Sequence, residues 1–264
     1  MNPTWHPLAG RTILVTRPQE QADGLCQRIE AAGGRALRLP LLVIEAVETP
    51  VMAHCLAEPW DWILFISHNA VRYAAPWLTE CKPEARIAAI GANTAMSLAK
   101  QGIRVDLTPE LEFNSESLLA MPELMAVDGR KILIVRGQGG REHLGDTLGR
   151  RGATVAYAEV YRRVPAVIDP EPWRQCGPAG TLHALTLTSG EALDHLHHAL
   201  RDVVSGWMQT LPLVIPGSRL ECLARDKGWQ RVKVATQPGD AAMLRAVIEV
   251  IGTDQHGFTS DGSG

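Results

Sequence analysis

Residues 10–37, GRTILVTRPQEQADGLCQRIEAAGGRAL, and residues 129–156, GRKILIVRGQGGREHLGDTLGRRGATVA, align without a gap. The matched positions include Gly10 with Gly129, Ile13 with Ile132, Leu14 with Leu133, Arg17 with Arg136, Leu25 with Leu144, and Gly33 with Gly152. Each segment is a short β-branched run, a helical pattern closed by glycine and a second short run, which together read as one βαβ unit. The chain therefore carries the same unit twice. A second match sets ILFISHNAV (63–71) against LTLTSGEAL (185–193), and a third sets IAAIGANTAMSLAKQG (87–102) against LVIPGSRLECLARDKG (213–228). Further strands read at IRVDL (103–107) and RVKVA (231–235), giving about ten in all. Strands alternating with helices call for parallel sheets covered on both faces, and ten strands suit two five-stranded sheets.

The order of the parts differs between the copies. The first βαβ unit precedes strands near 183, 213 and 231 that lie beyond the whole second copy, whereas the second unit follows strands near 62, 87 and 103. One domain is thus inserted in the other. The expectation is an α/β protein of two similar flavodoxin-like lobes: a split lobe of residues 1–41 and 168–252, and an inserted lobe of residues 50–158. The crossings at 42–49 and 159–167 are β-rich and are expected to pair as a two-stranded ladder. Residues 253–264 carry little apolar material and are expected to be disordered.

Composition bounds the function. The 264 residues sum to a formal charge of −3, which supplies no basic field for nucleic acid or a membrane surface. No run approaches the length of a membrane span, and the opening MNPTWHPLAGR does not read as a signal peptide, so the expected location is cytoplasmic. Five cysteines without a C-x-x-C pair argue against a disulfide framework and a zinc knuckle, and most are expected to pack in cores.

In open parallel sheets, ligands bind beyond the carboxyl ends of the strands, where helix N-termini offer unpaired N–H groups to anions. Thr16-Arg17-Pro18, Ser67-His68-Asn69, Gly91-Ala92-Asn93-Thr94, Arg136-Gly137-Gln138, Thr188-Ser189-Gly190 and Gly217-Ser218-Arg219 all occupy that position. Any one hydroxyl there can serve as a helix cap alone; the collection, on two lobes facing one cleft, is what points to a ligand. RGQGGRE is neither a dinucleotide fingerprint nor a P-loop, although a phosphate-type anion fits it. His195 and His198 share a helix face and read as a solvated face before a metal pair. Tyr161, in a crossing beside Arg162 and Arg163, reads equally as a ladder residue and as a catalytic phenol.

With LVTRPQEQADGL, FISHNAV, IAAIGANTAMSLAKQG, NSESLL, KILIVRGQGGREHL, GATVAYAEVYRR and GDAAMLRAV in this order, the chain resembles the uroporphyrinogen-III synthase family along nearly its whole length. The resemblance implies a cofactor-free monomer with no metal, acting on the linear tetrapyrrole hydroxymethylbilane, which it closes with loss of water and inversion of ring D. Tyr161 matches the family position of a tyrosine that helps the substrate hydroxyl leave. Arg17, Ser67, Thr94 and Ser189 match positions facing the family's cleft, and Asn69, Arg136 and Gly137 lie in the same motifs. Ser218 stands where the family often has threonine. The competing expectation is a two-lobed small-anion binding or regulatory module that keeps the fold without the activity.

Overall fold

The structure, a computed structural model, describes residues 6–47, 58–81, 84–110, 114–140, 142–176, 182–237 and 239–256. Along the chain the elements run β1 (Thr12–Val15), α1 (Gln19–Ala31), β2 (Arg35–Arg38), β3 (Leu42–Ala46), β4 (Trp62–Phe65), α2 (His68–Cys81), β5 (Arg86–Ala89), α3 (Ala92–Lys100), α4 (Ser115–Leu119), α5 (Pro122–Met125) and β6 (Lys131–Gly137). They continue with α6 (His143–Arg150), β7 (Thr154–Pro165), α7 (Glu171–Cys176), β8 (Ala184–Thr186), α8 (Gly190–Ala199), α9 (Arg201–Gly206), β9 (Leu213–Ile215), α10 (Ser218–Asp226), β10 (Val232–Val234) and α11 (Asp240–His256). The chain divides into two compact units, one of residues 1–43 with 164–264 and the other of residues 44–163.

The first unit holds a parallel sheet in the order β10-β9-β8-β1-β2. Counted within the unit, that is the 2-1-3-4-5 order of doubly wound flavodoxin-like sheets. The inner strands β1, β8 and β9 are largely apolar because both faces are covered: Leu14, Leu185, Leu213 and Ile215 enter one core, while Ile13, Val15, Ala184 and Val214 enter the other. The second unit holds the order β3-β7-β6-β4-β5. Here Ile63, Phe65, Leu133 and Val135 face one core, and Trp62, Leu64, Ile132 and Ile134 face the other.

The repeat is visible at atomic detail. In both copies the first strand meets the second 23 residues on, Thr12 beside Arg35 and Lys131 beside Thr154. Both helices end in the same way. Gly33 N–H donates to Glu30 O and Gly34 N–H to Ile29 O; Gly152 N–H donates to Gly149 O and Ala153 N–H to Leu148 O. These are Schellman ends, which need a left-handed residue, and Gly33 and Gly152 take φ of 84° and 88°.

Two expectations need correction and a third gains detail. IRVDL forms no strand; only Leu107 bridges to Ala88. The reason is local, because the Asp106 carboxylate accepts the Ile87 N–H at 2.8 Å, the donor that a fifth strand's backbone would have engaged. The crossings do pair as the expected ladder, and that ladder is also the edge of the second sheet. Val47 N–H donates to Val160 O and Ala166 N–H to Leu41 O, so partner numbers rise as the others fall and β3 lies antiparallel on β7, as the fifth strand of the second sheet. Finally, residues 253–256, expected in the disordered tail, continue α11. That helix buries Ala242, Met243, Ala246, Val247 and Ile251, and it runs on through Gly252 to His256. Residues 257–264 lie outside the described residues. Of the cysteines whose side chains are described, Cys26 is buried and Cys222 exposed.

Candidate active site

In each unit two neighbouring inner strands send their connections to opposite faces of the sheet, the topology at whose carboxyl ends doubly wound sheets bind ligands. In the first unit these strands are β1 and β8. Thr16 Oγ1 donates to Thr186 O at 2.8 Å and Thr186 Oγ1 to Leu14 O at 3.3 Å, so both buried hydroxyls are spent on fixing the two strands together. Arg17 follows and forms an ion pair with Asp240, in the first turn of α11. Ser189 caps α8, its Oγ accepting the Ala192 N–H at 3.2 Å. Ser218 opens α10 and is exposed.

In the second unit the corresponding strands are β6 and β4. Ser67, just before α2, accepts the Ala70 N–H at 3.0 Å, the contact of a helix cap. Its Oγ also lies 3.1 Å from the Tyr161 hydroxyl. Asn69 and Thr94 sit in the first turns of α2 and α3 and are 3% and 4% exposed. Tyr161 is 4% exposed and packs in the core on that face of the sheet. Its ring centroid lies 6.0 Å from that of Tyr73 with the planes 25° apart, and Tyr73 is pinned in turn by donating its hydroxyl to Ile44 O at 2.8 Å.

A β-bulge puts Tyr161 there. Along β7, Ala156, Ala158 and Val160 face this core by strict alternation, which would send residue 161 to the opposite face. The register shifts between Arg136 and Gly137, so that Arg136 pairs with Glu159 but Gly137 with Tyr161. The extra residue turns Tyr161 onto the same face as Val160. Gly137 lies against the ring: a Cβ on it would stand 2.5 Å from the Tyr161 Cε2 and Cζ. Glycine is needed here for clearance.

Arg136 is committed within the unit. Its guanidinium donates to Glu159 Oε1 at 3.0 and 3.2 Å and to Gly140 O at 3.2 Å, and it lies 3.9 Å from the centre of the Tyr157 ring. Burial raises the Tyr157 phenol above its ordinary value. A cavity of about 230 Å³ opens beside the same strand ends, lined by Ile66, Ile90, Ile134 and Leu144 with Asn114, Ser115, Glu116 and Tyr157 as its polar members.

Tyr73, Glu159 and Asp240 escape the sequence reading. Asp240 had a signal as the first acidic residue of the last helix, and Glu159 followed from the 23-residue strand offset applied to Arg136. Tyr73 had none, because no local pattern tells which ring of α2 meets β7. The histidines are used structurally: His195 Nε2 is 2.8 Å from Ala166 O, and His197 Nε2 accepts the Trp229 indole N–H at 3.0 Å. Among the described residues, no three His, Cys, Asp or Glu converge as metal ligands and no helix is long and apolar enough to cross a membrane.

The half-buried histidines that accept hydrogen bonds carry a pH dependence. His183 Nδ1 accepts the Thr12 N–H at 3.1 Å. Burial, then Arg11, depresses the His183 pKa, and burial, then Lys227, depresses that of His197. The unfolded chain therefore binds protons more readily, and stability falls as pH drops below about 6.5. The urea midpoint should be flat above pH 7 and decline toward pH 5, and the double variant His183→Gln/His197→Gln should lessen that decline. A midpoint that holds or rises on acidification contradicts this account.

A family model described as uroporphyrinogen-III synthase HemD matches residues 23–245. The chain belongs to the uroporphyrinogen-III synthase family. It is 35% identical to the uroporphyrinogen-III synthase of Salmonella typhimurium over 247 residues, covering 89% of this chain and 99% of that one. To the uroporphyrinogen-III synthase of Escherichia coli strain K12 it is 34% identical over 244 residues, with the same coverage. The solved uroporphyrinogen-III synthetase of Helicobacter pylori superposes with a TM-score of 0.61 at 15% identity, over 91% of this chain and 99% of that one. A mutant uroporphyrinogen III synthase of Thermus thermophilus does so with 0.56 at 18%, over 92% and 99%. At those identities the structural likeness establishes the α/β fold with its parallel sheets, and the sequence relatives establish the family.

Proposed function

We infer that this chain is a uroporphyrinogen-III synthase, a cyclising lyase of tetrapyrrole biosynthesis that closes hydroxymethylbilane with loss of water and inversion of ring D. Family membership along residues 23–245 carries the reading, and the hydroxyl pair of Tyr161 and Ser67 at the strand ends gives it a chemical centre. In this reaction the terminal hydroxyl departs to leave an azafulvene. The substituted carbon of ring D attacks it, and the spiro intermediate fragments and recloses with the ring reversed. Uncatalysed closure joins the other carbon, so the protein's main work is to hold the bilane folded for the harder attack. Oriented proximity is worth about 7–11 kcal/mol in favourable cases and needs no strong nucleophile.

In this reading Tyr161 is the catalytic residue that assists departure of the hydroxyl, since a phenol O–H can donate. The first turns that carry Asn69, Thr94, Ser189 and Ser218 present backbone N–H groups to the bilane's acetate and propionate groups. Arg17 has five N–H donors, enough for Asp240 and a substrate carboxylate to share. Arg136 and Gly137 act one step back, Arg136 through Glu159 and Tyr157 and Gly137 by clearing the Tyr161 ring. The reaction is a rearrangement with loss of water and calls for no redox cofactor. The same reading makes the protein a cytoplasmic monomer that engages a small molecule and neither nucleic acid nor membrane, in keeping with its net charge of −3.

A coupled assay with freshly made hydroxymethylbilane, separating the product isomers, tests it. Isomer III should form in proportion to enzyme; product that is all isomer I overturns the assignment.

A further inference from the structure

We propose that Ser67 is the positioning residue of Tyr161: its hydroxyl donates to the phenol oxygen and so directs the phenol proton toward the departing hydroxyl of the substrate. This rests on the reading of Tyr161 as the proton donor and moves Ser67 from substrate contact to the residue behind it.

The donors and acceptors present set the direction of this hydrogen bond. Ser67 Oγ accepts the Ala70 N–H at 3.0 Å as the cap of α2, which leaves its single proton to be placed. The Tyr161 oxygen lies 3.1 Å away. Were Tyr161 the donor, its proton would be spent on Ser67. With Ser67 donating, a directed chain runs from the Ala70 amide through Ser67 and Tyr161 to the substrate, each accepted bond making the next O–H a stronger donor. The chain begins in the first turn of α2, a helix of 14 residues whose amino end favours negative charge. As the C–O bond of the substrate breaks, the Tyr161 proton leaves with the hydroxyl as water, and the electron pair of the O–H bond stays on the phenolate, held by the Ser67 hydroxyl. The proton released when the closed macrocycle regains its aromatic pyrrole returns to Tyr161, so the cycle balances without a further reagent.

The surroundings make one geometry available. The Tyr161 ring stacks on Tyr73, itself tied to Ile44 O, and Gly137 lies against its Cδ2, Cε2 and Cζ. The strand register, through the bulge between Arg136 and Gly137, brings the hydroxyl of this ring to Ser67.

The test is a double-mutant cycle on the full chain. Ser67→Gly removes the hydroxyl while glycine remains an acceptable cap. It should lower kcat about 10- to 100-fold, the range for a hydrogen bond to a developing charge, with KM within about threefold. Ser67→Thr, which keeps the hydroxyl, should restore most of the rate. In the Tyr161→Phe background, Ser67→Gly should cost less than about twofold more, since the group it acts on is gone. Equal losses in both backgrounds overturn the proposal, and so does a Ser67→Gly enzyme of parental kcat while Tyr161→Phe is slow. If Tyr161→Phe is itself silent, the reading of Tyr161 as acid fails and this proposal with it. Melting temperatures within a few degrees of the parent for all variants show that the rates report chemistry; a Ser67→Gly loss that tracks melting alone counts against the proposal.

Discussion

Tyr161→Phe should keep the fold and lose most of the turnover. Phenylalanine preserves the ring that packs beside Val160 and stacks on Tyr73, and deletes only the hydroxyl facing Ser67. General acid assistance is typically worth about 10²–10⁴-fold, and turnover is expected to fall within that range. The product that still forms should remain isomer III, because folding of the bilane rests on the helix N-termini. Tyr161→Ala removes the ring as well and should cost about 3–5 kcal/mol of stability in addition. Rate, product isomer and melting temperature for the two variants separate the roles. A Phe variant within about twofold of the parent removes the acid from the mechanism.

Gly137→Ala is expected to damage both stability and rate through a single methyl group. The added Cβ would stand 2.5 Å from two ring carbons of Tyr161 and 3.0 Å from a third. The backbone of β6 cannot give way easily, being paired with β4 on one side and β7 on the other. The ring cannot withdraw without leaving Tyr73 and Ser67. Overpacking of this kind costs about 1–3 kcal/mol, which in a protein of this size lowers the melting temperature by roughly 2–4 °C per kcal/mol. Turnover should fall as far as in Tyr161→Phe, since the hydroxyl is displaced even though it is present. Thermal melts and the isomer assay check both effects. In a Tyr161→Ala background the methyl should be nearly free, because the space is empty. Parental melting and turnover for Gly137→Ala would show that the ring can move aside, and would undo the clearance argument.

Much of this architecture was legible because a gapless repeat transmits backbone geometry without needing side-chain detail. Residues 10–37 and 129–156 have the same length between their strands, so the same crossover fits both, and the strand offset of 23 residues follows. Gly33 and Gly152 had to match because each closes a helix in a conformation that a Cβ opposes. The permuted order of the remaining matches carried the interruption of one unit by the other. Where a single side chain competed with the backbone, the pattern misled: IRVDL has the composition of a strand, yet Asp106 takes the ladder position.

The sequence by itself determined the α/β class, the parallel sheets, the repeated unit and the loops at the strand ends, because these follow from periodicity, chain length between elements and the conformational demands of glycine. It also put Tyr161 in a β-rich crossing. Only the tertiary structure decided which way that tyrosine points, because alternation along β7 sends it away from Ser67 and a one-residue bulge sends it back. It likewise decided that Arg17 meets Asp240, 223 residues on, while the matched Arg136 turns to Glu159 and Tyr157. Equivalent positions in a repeat share a backbone, but the charge each side chain meets comes from whatever distant segment packs beside it, and no local pattern encodes that meeting.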